Sequence, residues 1–571
     1  MVERVGNPPQ VILSGSKIIM PETGHTRFLD SLAYMPMALS VLPKAFGLPT
    51  TSVKGVFPHL FNTPENVGYV GPLTAAKFYS PDTMSSDARA EFHSWYDEAV
   101  ANDHLFDFDA ELLSYCRSDV DLRRACVAFR DIFLECGRVC PFTESTTIAS
   151  ACLALFRKNF LQLERIGILP PGGYCLADAQ YRKALEWLVV KERELGIDIS
   201  HAGNGREFRI PETGRKVDGY HWECVFDRSL RENEEMREYV ATHPLIAGTA
   251  TSEALNPRDA FYGGRTGNAS RYYEVKTDAT GNAYEEIRYV DVCSLYPFIC
   301  KNGRFPVGHP TVYVGEECKL LTRSSGCDIT RVEGLIKCRI LPPRNLYHPV
   351  LPDECRHDDE AAREFEGTWV SIELKKAVEM GYKIRSIREI WSYTVTSFDP
   401  ITRQGGHFAG YIDTFLKIKQ EASGWPAECE DEPARMRYLD EYERVEGIRL
   451  DGDRIAKNPG MRSVSKLCLN SFWGKFGQRE NLVKTEVIKT RQQLLELLTN
   501  SEVEVSGLLP VTAEVLYVRW SHAQHSVEPS ALANVVIASY TTAQARLKLF
   551  SFLEMLDRRV LYYDTDSVIY T

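Results

Sequence analysis

The sequence ends in a pattern of strand, turn and strand, LYYDTDSVIY over Leu561 to Tyr570. Tyr562, Tyr563, Val568, Ile569 and Tyr570 are β-branched or aromatic, so the flanks read as two buried strands and Asp-Thr-Asp-Ser as a hairpin turn. Successive strand residues point to opposite faces, so with Tyr563 in the sheet only part of the polar quartet can share a face. IRYVDVCSLYPFICK, from Ile287 to Lys301, reads as an apolar strand ending on Asp291, then a tight turn over Ser294 to Pro297. SVSKLCLNSFWGKFGQ, from Ser463 to Gln478, has a helical period that puts Lys466, Asn470 and Trp473 on one face.

Other segments complete the pattern. Phe106 to Phe133 reads as one amphipathic helix with Leu113, Ala125 and Phe129 inward and with Tyr115 and Asp119 four apart on one face. Residues 171 to 222 hold a helical stretch, DAQYRKALEWLVVKERELGIDI, and then a β-like stretch with turns. EVEVSGLLPV and VLYVRW read as strands, and Ala531 to Leu556 as a long apolar helix supporting the terminal hairpin from behind. Gly/Pro-rich breaks fall near 168 to 174 and 202 to 219, with no internal repeat and no long low-complexity tract.

With 571 residues, 44% of them hydrophobic, the chain can build several domains with sizeable cores. Its net charge of −11 confines any nucleic-acid contact to local basic patches. No run of about twenty apolar residues and no cleavable signal is visible, so a soluble intracellular protein without a membrane partner is expected, nucleus and mitochondrion being indistinguishable. Fifteen cysteines form no CxxC pair. Cys136 and Cys140 are the closest two and lack a companion pair at zinc spacing, so buried thiols are expected.

Asp564 and Asp566 repel each other unless a divalent cation neutralises them. Alone, such a pair is also what an ordinary Asx-turn offers. A strand-borne Asp, a helix presenting a cation, an amide and a ring, and a hairpin of acids together favour one catalytic site. A reverse transcriptase also combines a strand-borne Asp with an acidic hairpin, but there the two Asp are adjacent, whereas Thr565 separates them here. Phosphate-cradling P-loop and kinase catalytic-loop sequences are absent.

DVCSLYP, KLCLNSFWG and YYDTDS resemble motifs A, B and C of family B DNA polymerases, in the protein-primed branch that includes bacteriophage, adenoviral, linear-plasmid and Polinton polymerases. AFYGGRTGN, from Ala260 to Asn268, resembles the YxGG segment of that branch, with Phe261 where Tyr is usual. The resemblance implies two Mg²⁺ ions, with Mn²⁺ as a substitute, held by Asp291 and Asp566 with Asp564 assisting. It implies that Tyr296 floors the sugar pocket and that Lys419 and Lys466 meet the triphosphate. Asn470 and Trp473 line the nascent base pair, with Trp where many relatives carry Tyr. Gly263, Gly264, Arg265 and Gly474 are implied contacts to template and primer. DNA, dNTPs and a terminal priming protein are the implied partners. Tyr115 and Asp119 match the third motif of the family's 3′–5′ exonuclease. The first two such motifs belong upstream of Met1, so proofreading is not expected. Glu207 and Asp218 match acids of a nuclease-like module, expected here as a degenerate structural insert.

The expected fold is α+β: a right-hand palm and fingers, a partial RNase H-like exonuclease lobe and no complete thumb, truncated at both ends. The expected division is 1–135 exonuclease, 136–250 linker and insert, 251–300 first palm part, 301–400 an insertion contacting the priming protein, 401–478 fingers, 479–530 a second insertion, and 531–571 second palm part. The expected activity is template-directed DNA synthesis from a protein primer. The competing readings are an inactive DNA-binding remnant and, more remotely, a metal-dependent nuclease resting on Tyr115, Asp119, Glu207 and Asp218.

Overall fold

The computed structural model describes residues 10–14, 17–23, 25–37, 42, 46, 56–121, 123–161, 166–169, 182–196, 223–243, 255–281, 283, 285–322, 327–352, 359–523, 527 and 532–571. Within them the chain is α+β, with antiparallel sheets carried on a shared helical core.

That core is organised by the helix Val535–Leu556. Its first half is apolar on every side, and Val536, Ile537, Ala538 and Tyr540 are fully buried, as expected of a central helix. Ser539, Thr541 and Thr542 tolerate that burial because each hydroxyl donates to a carbonyl of the preceding turn. The helix starts at 535, later than the sequence pattern suggested, because Asn534 caps it by accepting the Ile537 N–H. At its far end Leu549, Leu553 and Leu556 pack on Val560, Tyr563 and Val568. Truncating such a fully buried leucine costs about 2–5 kcal/mol, so this contact fixes the hairpin's height above the helix.

The hairpin is Val560–Asp564 and Ser567–Tyr570. It is the centre of a four-stranded antiparallel sheet, flanked by Thr266–Asn268 on one side and Arg288–Asp291 on the other. Its strands are buried only on the helix side. Tyr562, Ile287, Tyr289 and Val290 are exposed, which corrects the reading of Tyr562 in a buried flank and makes the apolar strand ending on Asp291 an edge.

Several elements differ from the sequence pattern. Ser294 to Pro297 is not a free turn: Ser294 takes a left-handed φ of 58° and the helix Leu295–Asn302 begins at once. Pro297 fits because first-turn N–H groups have no intrahelical partner to lose. Phe106 to Phe133 is not helical from its start: Leu105–Asp107 is a strand, and helix is described over Phe108–Asp121 and Arg123–Gly137. Ala125 and Phe129 are buried as expected, whereas Leu113 is about half exposed. The helix expected over 463–478 runs Pro459–Ser471, capped by Asn458, and tightens into a 3₁₀ segment Trp473–Gly477. The stretch taken as a linker after 135 opens with a core helix, Ile148–Asn159, whose Ala151, Cys152, Leu155 and Phe156 are fully buried against residues of the second half.

Residues 304–405 form a five-stranded antiparallel sheet, and residues 484–522 a three-stranded one that includes the two segments read as strands. Arg182–Leu195 is helical, while Glu207, Asp218 and the β-like stretch around them lie outside the described residues. Cys136 and Cys140 are part-buried free thiols, and burial pushes Cys136 up to about 11. No helix among the described residues is long and apolar enough to cross a membrane.

Candidate active site

Ladder register brings the acids together. Asp291 pairs with Ser567 across the sheet, and Asp564 pairs with Ser567 across the hairpin, so segments far apart in sequence meet at one turn. The Val292 N–H donates to the Asp566 carbonyl at 2.7 Å, tying the end of the 288–291 strand to the turn. Thr565, between the two Asp, sits at φ 51°, a conformation that β-branched residues rarely adopt. Its N–H donates to the Arg265 carbonyl at 2.7 Å. Its hydroxyl donates to Asp564 Oδ1 at 2.9 Å, and the Tyr562 hydroxyl reaches Oδ2 at 3.4 Å. Gly264 presses on this turn: a Cβ there would lie 2.7 Å from Thr565 Oγ1, so any side chain at 264 would push the hairpin away.

The acids feel one another. The Asp566 carboxyl is held above its ordinary range, by burial first and then by the charges of Asp291 and Asp564, against an opposing backbone hydrogen bond. Carboxylates crowded in this way are a hard-oxygen donor set of the kind Mg²⁺ prefers. Among the described residues no group of three or more His, Cys, Asp or Glu forms a ready-made metal cage. An open set of two or three carboxylates still fits an ion that takes its remaining ligands from water and phosphate.

Beside the acids lies an aromatic pair. Tyr296, on the helix that follows Asp291, stacks on Trp473 with ring centroids 4.2 Å apart and planes 13° apart. Burial raises the Tyr296 hydroxyl, with Arg546 opposing and the charges of Asp566 and Asp564 adding to the shift. Trp473 reaches this position from the 3₁₀ segment that follows the α-helix carrying Lys466 and Asn470.

A cationic cluster completes the site. Lys419 is pulled below its ordinary value by burial, then by the charges of Arg462 and Lys466, with Cys293 opposing. Lys419 belongs to the helix Ala409–Glu421, Lys466 to Pro459–Ser471, and Cys293 stands two residues after Asp291, so all three regions converge. Arg462 escaped the sequence reading. Its signal was available, since it lies four residues before Lys466 on the same exposed face, and its Nε donates to Ser423 Oγ at 3.2 Å.

The remaining sequence-derived residues divide. Gly263 and Gly474 have open space where a Cβ would stand. Arg265, expected at template or primer, is turned inward instead. It is 8% exposed, and its guanidinium donates to the carbonyls of Pro349 and Val350. The planar fork of the guanidinium matches the two successive carbonyls of the 349–350 backbone, which holds it away from the cleft. Tyr115 packs with Phe57 and His59 at 5.6 and 5.2 Å, in an aromatic cluster of its own. The Asp119 side chain lies outside the described residues. A half-open cavity of about 490 Å³ lies elsewhere, beside Cys136 and Lys417.

Three comparisons bear on this geometry. The family described as DNA polymerase type B, organellar and viral, matches residues 16–436, which include Asp291, Tyr296 and Lys419. A probable DNA polymerase of Neurospora intermedia is 32% identical over 562 residues, covering 95% of this chain and 42% of that protein. One of Podospora anserina is 24% identical over 216 residues, 38% of this chain and 14% of that protein. This chain therefore spans less than half the length of these fungal relatives. Among solved structures, Phi29 DNA polymerase complexed with single-stranded DNA is similar at a TM-score of 0.47 and 15% identity, over 100% of this chain and 66% of that one.

Proposed function

This chain belongs to the organellar and viral type B DNA polymerases, and from that premise we propose that it adds dNTPs to a primer 3′ end under the direction of a DNA template. The observation that carries the proposal is the cross-strand register that gathers Asp291, Asp564 and Asp566 at one turn.

Asp291 and Asp566 are the residues to hold two divalent ions, with Asp564 beside them, and such ions supply Lewis-acid stabilisation of the attacking and leaving oxygens. The protein's own groups do the rest by position and charge. Lys419, Arg462 and Lys466 offer a concentrated positive field for a triphosphate, and the cost of holding three cations together is already visible in Lys419. Tyr296 lies near the acids, stacked on Trp473, where its ring can exclude a ribose 2′-hydroxyl by contact. Trp473 gives a flat face for the nascent base pair but, unlike Tyr, no hydroxyl. Asn470 stands one turn after Lys466 on the same exposed face and completes that wall. The open backbone at Gly263 and Gly474 leaves room for a nucleic-acid strand to approach. The family resemblance further supports a protein as the source of the priming hydroxyl. The 304–405 sheet is the surface proposed to receive it, and the 484–522 sheet the one proposed for downstream template.

The test is extension of a labelled primer–template by the chain with Mg²⁺ and dNTPs. Extension that Asp566→Asn abolishes supports the proposal. A native chain that binds DNA without extending it would identify a non-catalytic DNA-binding protein instead.

A further inference from the structure

The left-handed turn at Thr565 must be held by something, since it spaces the two hairpin carboxylates and a β-branched residue does not rest there unaided. Its N–H has one backbone partner, the carbonyl of Arg265. Arg265 stands at the entrance of the strand Thr266–Asn268, whose Thr266 pairs with Asp564 and whose Gly267 pairs with Tyr563. The position of Arg265 therefore sets the position of the whole turn.

Arg265 is itself anchored on three sides. Its guanidinium donates to the Pro349 and Val350 carbonyls and lies 5.4 Å from the centre of the Phe550 ring on the Val535–Leu556 helix. The Val350 N–H donates in turn to the Tyr382 hydroxyl at 3.3 Å, which fastens that anchor to the 304–405 unit. The guanidinium bonds no carboxylate, and its Nε has no hydrogen-bond partner among the described residues. A cation buried on such terms is expensive, and neutral residues satisfy packing at lower cost. The neighbouring carbonyls of Tyr262 and Gly263 are held separately by Arg546, at 2.9 Å each. Arg265 thus joins the Thr565 turn, through its carbonyl, to the central helix and the 349–350 segment, through its side chain.

We infer that Arg265 is a positioning residue that fixes the Asp564–Thr565–Asp566 turn from below, and not a contact to nucleic acid. A phosphate could be met only by breaking both carbonyl bonds and drawing the side chain out of the core. The consequence for divalent-ion binding rests on the polymerase reading; the consequence for the turn does not.

The experiment compares the full native chain with Arg265→Met and Arg265→Lys. Hydrogen exchange of metal-free protein is read on peptides covering 561–570 and, as a control for folding, on those covering 535–556. Both substitutions are expected to speed exchange in the hairpin by about tenfold while the central helix stays protected. Lysine keeps the charge but cannot bond two carbonyls in a fixed fork, so it is expected to behave like methionine. Affinity for a primer–template in EDTA is expected to stay within about twofold, and the Mg²⁺ concentration for half-maximal extension to rise about tenfold. Unchanged hairpin exchange in both variants overturns the inference. So does a loss of DNA affinity in Met that Lys restores, which marks a charge contact to phosphate. If Met fails to fold, Lys alone decides. Failure of the native chain to extend primers counts against the polymerase reading, and the exchange result still decides the role of Arg265.

Discussion

At the 560–570 hairpin, acids from two distant segments are locked onto one turn by ladder pairing, a clamped left-handed residue and a helix packed behind. At the Phe108–Asp121 helix, Tyr115 is packed in an aromatic cluster with Phe57 and His59. Both regions carried motif-like spacing. Spacing on one helix fixes only which residues share a face, whereas a two-metal site needs carboxylates from separate elements held in register. The comparison therefore separates a site that the fold assembles from one that a short sequence match merely suggests.

The strongest way to break it is substitution of the acids. Asp291→Asn and Asp566→Asn are each expected to reduce single-turnover primer extension by at least about 1,000-fold with helix content unchanged, because the charge gathered there has no substitute. Tyr115→Phe is expected to change extension by less than about twofold, since its ring packing is kept. A large loss in the second case and a small one in the first would reverse the comparison.

The cationic cluster sharpens it further. Lys419→Ala and Lys466→Ala are each expected to raise the KM for dNTP by about 10- to 100-fold, the worth of one charge-assisted contact. Arg462→Ala is expected to do less, because its side chain already bonds Ser423. Steady-state kinetics with varied dNTP, at saturating primer–template, gives that order.

Tyr296 and Trp473 test the aromatic wall. Tyr296→Val is expected to lower dNTP over NTP preference by about 10- to 100-fold, through loss of steric exclusion. Trp473→Ala removes a stack worth about 0.5–1.5 kcal/mol and is expected to change incorporation only several-fold. Competition between dATP and ATP on one template reads the first, and single-nucleotide incorporation the second.

The smallest effect is on stability. The ordinary Asp value is 3.8, and Asp566 in the folded chain lies above it. Between those two values the native state holds a proton that the unfolded state has released. The stability gained from that proton is present at lower pH and is lost as pH rises through the folded value. In EDTA at neutral pH, Asp566→Asn is therefore expected to raise the melting temperature by roughly 1–3 °C, and to cancel the stabilisation that Mg²⁺ gives the native chain. Differential scanning fluorimetry with and without Mg²⁺ measures both.

Much of the site was legible because its signals are local. The period-two apolar pattern on either side of Asp564 to Ser567 specifies a hairpin, and the four-residue spacing of Lys466 and Asn470 specifies a shared helix face. What escaped depends on distant partners. Ser294 begins a helix rather than closing a turn because the residues that bury Leu295 and Ile299 lie elsewhere in the chain. Arg265 reads as a free cation in sequence, and only the approach of the 349–350 backbone turns it into an anchor. The Ile148–Asn159 helix went unread in the stretch before the Gly/Pro-rich break near 168, though five of its residues are essentially dry.

The most direct measurement is affinity cleavage with Fe²⁺ bound in place of Mg²⁺. In the presence of ascorbate and peroxide, hydroxyl radicals cut the backbone beside the ion, and the fragments are mapped by mass spectrometry. The expected result is cleavage at two separate places in one molecule, next to Asp291 and within Asp564 to Asp566, both lost in Asp566→Asn. Cleavage at one of these places without the other, or cleavage that survives the substitution, would contradict the claim that these acids share a single site.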